Sequence, residues 1–86
     1  MPNSSAMRFG DKDVVLAIEG RQDEVRPFAV ACRSLVDQAD EDGLSVRALT
    51  EAIARLGAQY GFIASHTGTD SNSINFVARP ATETTG

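Results

Sequence analysis

The chain has 86 residues, a size at which folding buries roughly 60% of the unfolded surface, so one small domain is expected and a large internal substrate cavity is not. Hydrophobic residues make up 42% and charged residues 23%, a globular balance far from disordered compositions. The formal net charge of −4 argues against broad, sequence-independent attraction to phosphate backbones or anionic lipid, both of which need a basic surface, and leaves room for a local basic face.

The single cysteine cannot close an internal disulfide, which fits a reducing compartment. The start, MPNSSAM, lacks the basic and then apolar run of a secretory signal. The longest strongly apolar stretch, VVLAI, is far short of the ~20 residues that span a bilayer. A cytoplasmic protein without a membrane segment is expected. MPNSSA at residues 1–6 and PATETTG at residues 80–86 are small and polar and are expected to be flexible tails, leaving residues 7–79 as the folded domain.

Asp13 to Glu19, DVVLAIE, is rich in β-branched residues and stops at Gly20, so it is expected to be a strand. Val14, Leu16 and Ile18 share one face, and Val15 and Ala17 share the other, so both faces are apolar. Such a strand needs neighbours or cover on both sides; AMRF, before the turn-like GDKD, is a short candidate partner.

The clearest helical periodicity follows. Phe28, Ala31, Cys32, Leu35, Val36 and Ala39 fall within one arc, with Arg33, Asp37, Asp40 and Glu41 opposite. Pro27 suits a first helical turn, which predicts a helix over Pro27–Asp40. The alternative for Glu24–Val30, EVRPFAV, is a second strand paired with the first across GRQD.

After EDG, a second helix is expected with Ser45 or Asp42 as N-cap and a stripe of Val46, Leu49, Ala52, Ile53, Leu56 and Tyr60. Gly61 suits the C′ position, and Gly57 marks an earlier candidate end. FIASHT and SINFVAR then form two period-2 runs around a polar stretch, the signal of a hairpin with a loop longer than two residues.

The order strand, helix, helix, hairpin predicts an α+β domain of two layers: an antiparallel sheet of three strands, four if AMRF pairs, packed on two amphipathic helices. Ile74, Phe76 and Ala78 are expected to face the helices with Phe62 and Ala64, and Tyr60 and Ile63 are also placed in the core.

HTGTDSNS, residues His66 to Ser73, holds the only histidine beside an aspartate and several hydroxyls. An acid–base centre would need His66 fixed by a partner such as Asp70. Asp, Asn, Ser and Gly also dominate loops for backbone reasons alone, so His66, Thr67, Thr69, Asp70, Ser71 and Asn72 are expected to form a solvated hairpin tip available for contact. Cys32 lies in the apolar stripe, where cysteine acts as a small inert hydrophobe and not as a thiolate partner of His66. One Cys and one His without CxxC or HxxxH spacing predict no metal site. The absence of GxGxxG or GxxxxGK predicts no nucleotide cofactor.

DQADED places Asp37, Asp40, Glu41 and Asp42 near a helix C-terminus, where carboxylates oppose the macrodipole. Either the first helix ends by Ala39 and Asp40 to Asp42 favour the start of the second, or the four form an acidic patch for a basic partner.

ADEDGLSVRAL, Ala39 to Leu49, resembles the centre of a helix-turn-helix, with a small residue, a glycine four positions on, then Leu44 and Leu49. The resemblance implies DNA contact by Arg47, Thr50, Glu51 and Arg55, with Thr67 to Ser73 as a wing. Asp42 stands where the motif usually has an apolar residue, the turn is acidic, and the wing has no Lys or Arg.

The sequence therefore favours a small acidic, non-enzymatic module that binds another protein or itself. A DNA-binding regulator is the alternative. Self-association through an open edge of Val14–Ile18 is expected if AMRF leaves that edge unpaired.

Overall fold

The computed structural model describes residues 3–81. The elements run β1 (Asn3–Phe9), β2 (Lys12–Ile18), α1 (Gln22–Glu41), α2 (Val46–Gln59), β3 (Phe62–Thr69) and β4 (Ser73–Pro80). The four strands form one sheet in the order β1-β2-β4-β3, and the two helices pack against it, giving the expected two-layer α+β domain.

The sheet is mixed. β1–β2 and β3–β4 are antiparallel, but the central pair β2–β4 is parallel, from Asp13 opposite Ser73 to Ile18 opposite Ala78. The αα connection carries the chain to the far edge of the sheet, where β3 runs out and β4 returns into the centre. The antiparallel expectation is corrected because side-chain alternation has period two in both kinds of ladder.

β1 covers the outer edge of β2 over its whole length, and β4 covers the other. Self-association through an open edge of Val14–Ile18 is therefore overturned. Gly10 and Asp11 form the two-residue turn of the β1–β2 hairpin, and Gly10 at φ 65° is the first central residue, as a type II′ turn requires. β1 begins at Asn3, within the stretch expected as an N-terminal tail, and β4 reaches Pro80. Strand pairing with β2 decides this, since an edge strand needs no apolar run of its own. The rest of the two tail expectations lies outside the described residues.

α1 begins at Gln22, five positions before the expected start, and the strand alternative for Glu24–Val30 is overturned. Asp23 and Glu24 occupy the first turn, where they complement the helix macrodipole, and Val25 extends the buried stripe one turn ahead of Phe28. Pro27 therefore sits inside the helix. α1 ends in a Schellman closure: the N–H of Leu44 donates to Ala39 O (3.0 Å) and that of Gly43 to Asp40 O (3.2 Å), with Gly43 at φ 70°. Ser45 caps α2, its Oγ accepting from Ala48 N at 3.1 Å.

The core lies between the layers. Val14, Leu16, Phe28, Val36, Leu49, Ile53 and Ile74 are fully buried, and Phe62, Phe76 and Ala78 join them as expected. Phe28 stacks on Phe62 with ring centroids 4.8 Å apart. Gly57 does not end α2. It is buried where the helix crosses β3, and a Cβ there would stand 3.2 Å from Phe62 O. Tyr60 and Ile63 depart from the expected core, at 43% and 50% exposure. Tyr60 follows the last turn of α2, and Ile63 alternates with buried Phe62 onto the opposite side of the sheet. No helix among the described residues is long and apolar enough to cross a membrane.

Candidate functional site

The helices cover one face of the sheet and leave the other open. The alternation that buries Val14, Leu16, Ile18, Ile74, Phe76 and Ala78 sends Val15, Ala17, Asn75, Val77 and Ile63 to the open face. The register brings these together: Val15 stands opposite Asn75, Ala17 opposite Val77, Val77 opposite Ser65, and Ile63 opposite Arg79. Val15, Ala17 and Val77 are half-buried by their neighbours, and Ile63 is half-exposed. Both apolar faces of β2 are legible in the sequence, whereas Val77 and Ile63 do not stand out there as surface residues.

The formal charges on this face are few. Arg8 and Asp13 pair across the β1–β2 hairpin at 2.8 Å, which neutralises them locally, and Arg79 stands near the corner beside Ile63. Asn75 Nδ2 donates to Ser73 Oγ at 3.3 Å. The face thus has an apolar centre of small and β-branched residues with a hydroxyl and amide border. It can make van der Waals and apolar contacts with another surface.

The polar stretch His66 to Ser73 is partly a strand. β3 continues to Thr69, so His66, Thr67 and Thr69 belong to the strand, and only Asp70, Ser71 and Asn72 form the exposed tip. This corrects the expected extent of the loop. A bulge between His66 and Gly68 accommodates Thr67 as an extra residue, and the Thr67 hydroxyl donates to Asn75 O at 3.2 Å. His66 Nε2 lies 2.7 Å from Thr69 Oγ1, and its ring lies 5.3 Å from that of Phe76. Among the described residues no carboxylate contacts His66, and Asp70 instead uses its backbone N–H to close the turn onto Ser73 O at 2.7 Å. The ammonium of Lys12 donates to the carbonyl oxygens of Asp70 (3.2 Å) and Ser71 (3.0 Å), tying the tip to the β1–β2 hairpin.

Cys32 is fully buried, and burial pushes its thiol up to about 12. It therefore stays protonated in the core, whereas His66 is exposed. Among the described residues there is no cluster of three or more His, Cys, Asp or Glu that could hold a metal ion.

The acidic residues Asp37, Asp40, Glu41 and Asp42 are all exposed. α1 runs through Glu41 with Asp42 as its C-cap, and α2 has no acidic residue in its first turn, so the reading that Asp40 to Asp42 support the start of α2 is overturned. Ser45 takes that role. Asp40 Oδ1 accepts from the backbone N–H of Gly10 (2.9 Å), and Asp42 Oδ1 accepts from Gln38 Nε2 (3.2 Å). Two of the four carboxylates thus have local structural partners.

On α2, Arg47, Glu51 and Arg55 are exposed one turn apart along one side, while Thr50 is half-buried and donates its hydroxyl proton to Val46 O at 2.9 Å. Gly43, on which the resemblance to a helix-turn-helix rests, serves as the C′ residue of α1. The hairpin tip, the Gly10–Asp11 turn and the α1–α2 turn lie at one end of the domain, linked by Lys12 and Asp40. That end carries Asp11, Asp40, Glu41, Asp42 and Asp70.

Comparison with protein-family models, with curated proteins and with solved structures found no match to this chain.

Proposed function

We propose that this chain is a non-catalytic interaction module whose uncovered sheet face pairs with a second copy of itself. The observation that carries the reading is the Val15, Ala17, Val77 and Ile63 centre of that face, left open while the other face of the sheet is closed by both helices. A two-layer domain normally turns a polar face of an antiparallel sheet to water, so an apolar centre there favours a third layer.

Charge leaves a second copy possible as that layer. Two chains of net charge −4 repel, and the sheet face keeps the acidic turns at the domain end out of the direct contact. A twofold interface uses the same patch on both partners, so it must not oppose like charges across its centre. This patch meets that condition, since its centre is uncharged.

Area sets the expected strength. Four strands spaced ~4.8 Å apart and rising ~3.3 Å per residue give a footprint of roughly 450 Å². That falls below the ~800 Å² per partner of a standard stable interface. The expected dimer is therefore weak, forming and dissociating with concentration.

Support for a non-catalytic role comes from the two reactive side chains: among the described residues His66 has only a threonine hydroxyl as polar partner, and Cys32 is sealed in the core. The DNA-binding alternative has less support. Lys12 is engaged by the tip's own carbonyls, and the end that would approach phosphates is acidic.

The test is the amide spectrum of labelled protein across a dilution series, with Val77→Lys as the variant. Shifts at Val15, Ala17, Ile63 and Val77 that vanish on dilution and are missing in the variant support the reading. A spectrum that does not change with concentration refutes it. Adding duplex DNA at low salt separates the alternative, because shifts concentrated in Ser45 to Arg55 would favour DNA binding instead.

A further inference from the structure

At the other end of the domain, on the helical side, a cleft of about 310 Å³ is lined by Glu24, Pro27, Tyr60, Gly61, Phe62 and Pro80. We infer that this cleft takes a lysine or arginine side chain of a partner protein. The inference does not rest on the sheet-face reading, since the cleft uses neither Val15, Ala17, Ile63 nor Val77.

The sequence builds the cleft from two chain connections. Glu24 and Pro27 come from the first turns of α1, Tyr60 and Gly61 from the α2–β3 turn, and Pro80 from the end of β4. Both prolines present rigid apolar walls. Tyr60 is held beside Phe28 with ring centroids 5.9 Å apart, and Phe28 in turn stacks on Phe62, so the aromatic floor is anchored in the core. Tyr60 nevertheless remains 43% exposed, and among the described residues its hydroxyl has no hydrogen-bond partner.

Glu24 is the single formally charged group on the lining. Arg21 and Arg26 are close in sequence, yet Arg21 pairs with Asp23 at 3.4 Å, and Glu24 makes no ion pair among the described residues. An unpaired carboxylate beside an exposed aromatic ring and two prolines matches a ligand with an apolar stem and a cationic head. The stem packs on proline and tyrosine while the head meets the carboxylate and the ring face. The volume is at the bottom of the range for ligand pockets, about 300 Å³, which suits one side chain better than a whole cofactor. The net charge of −4 adds long-range attraction for a basic partner.

The experiment is an amide-shift titration of the labelled full chain with three blocked single-residue probes: lysine, arginine and norleucine. Norleucine keeps the apolar stem and lacks the cation. Shifts at Glu24, Tyr60 and Gly61 are expected with lysine and arginine but not norleucine, with apparent affinity several-fold weaker in Glu24→Gln and in Tyr60→Ala. Both substitutions are at exposed positions, and a dispersed spectrum confirms folding before titration. The inference is overturned if norleucine shifts the same amides equally, if Glu24→Gln binds as the native chain does, if the cationic probes shift Asp40 to Asp42 as strongly as the cleft, or if none of the probes shifts the cleft.

Discussion

Asp40 in the last turn of α1 accepts a hydrogen bond from the backbone N–H of Gly10, 2.9 Å away and 30 positions earlier in the chain. The contact joins the helix end to the β1–β2 turn, and it places a carboxylate where the macrodipole disfavours one. The two effects are comparable: the dipole penalty is about 0.3–1 kcal/mol, and a charge-assisted hydrogen bond contributes about 1.5–3 kcal/mol, less when exposed as here. Asp40→Asn should keep the acceptor, remove the penalty and leave stability unchanged or slightly raised. Asp40→Ala should lose about 0.5–1 kcal/mol. Chemical denaturation of the two variants checks this, and an equal loss in both would show that the charge itself is required.

Ser45 caps α2 with its side chain, and the first turn of that helix contains no carboxylate. Ser45→Ala should lower stability by about 1 kcal/mol, and Ser45→Asp should hold or raise it through the same acceptor with a favourable charge. The midpoint of urea unfolding reports both.

Gly57 brings α2 close to β3, and an added Cβ would meet the backbone carbonyl oxygen of Phe62 at 3.2 Å and Ala64 Cβ at 3.4 Å. A backbone oxygen in a paired strand has little room to move. Gly57→Val should therefore destabilise by about 1–3 kcal/mol despite replacing a poor helix former. A thermal midpoint equal to that of the native chain would mean that the two elements separate more easily than their packing implies.

Burial raises the Cys32 thiol from 9.0 to about 12, so the folded chain holds its proton at pH values where the unfolded chain has lost it. The sign follows from proton counting: the unfolded state binds fewer protons above pH 9, so stability falls from there towards pH 12. Cys32→Ala should remove that component of the alkaline loss while lowering stability at neutral pH. At pH 8 the native thiol should react with a thiol reagent only as fast as the core opens. Labelling as fast as in the denatured chain would contradict its burial.

Much of the architecture was legible in side-chain periodicity. The stripes Phe28–Ala39 and Val46–Leu56 and the alternation Ile74–Ala78 each point to one face, and the core uses those residues apart from Ala31 and Ala52. The parallel pairing of β2 with β4 was not legible, because Val14–Ile18 has the same alternation whichever way its neighbour runs. Pro27 hid the start of α1, since proline is tolerated in a first turn and here stands five residues after the first residue of the helix. Ile63 lies outside the core because apolar character alone does not tell which side of the sheet the helices take, and Tyr60 because it follows the last turn of α2, where the helical stripe no longer fixes its direction.

The candidate site was less readable for the same reason. Val15 and Ala17 were visible as a second apolar face, but the open surface exists only once both helices choose the side of Val14, Leu16 and Ile18. Val77 and Ile63 join it through strand register, a long-range property that local sequence does not encode. The cleft was equally hidden, because its walls come from Glu24, Tyr60 and Pro80 on separate elements.

The most direct test of the sheet-face account is sedimentation equilibrium of the native chain and of Val77→Lys across a concentration range. The account predicts a native mass that rises with concentration from the 9.1 kDa of one chain towards twice that value, and a Val77→Lys variant that stays monomeric with an unchanged fold. A native chain that remains at 9.1 kDa at every concentration, or a variant that associates as the native chain does, would contradict it.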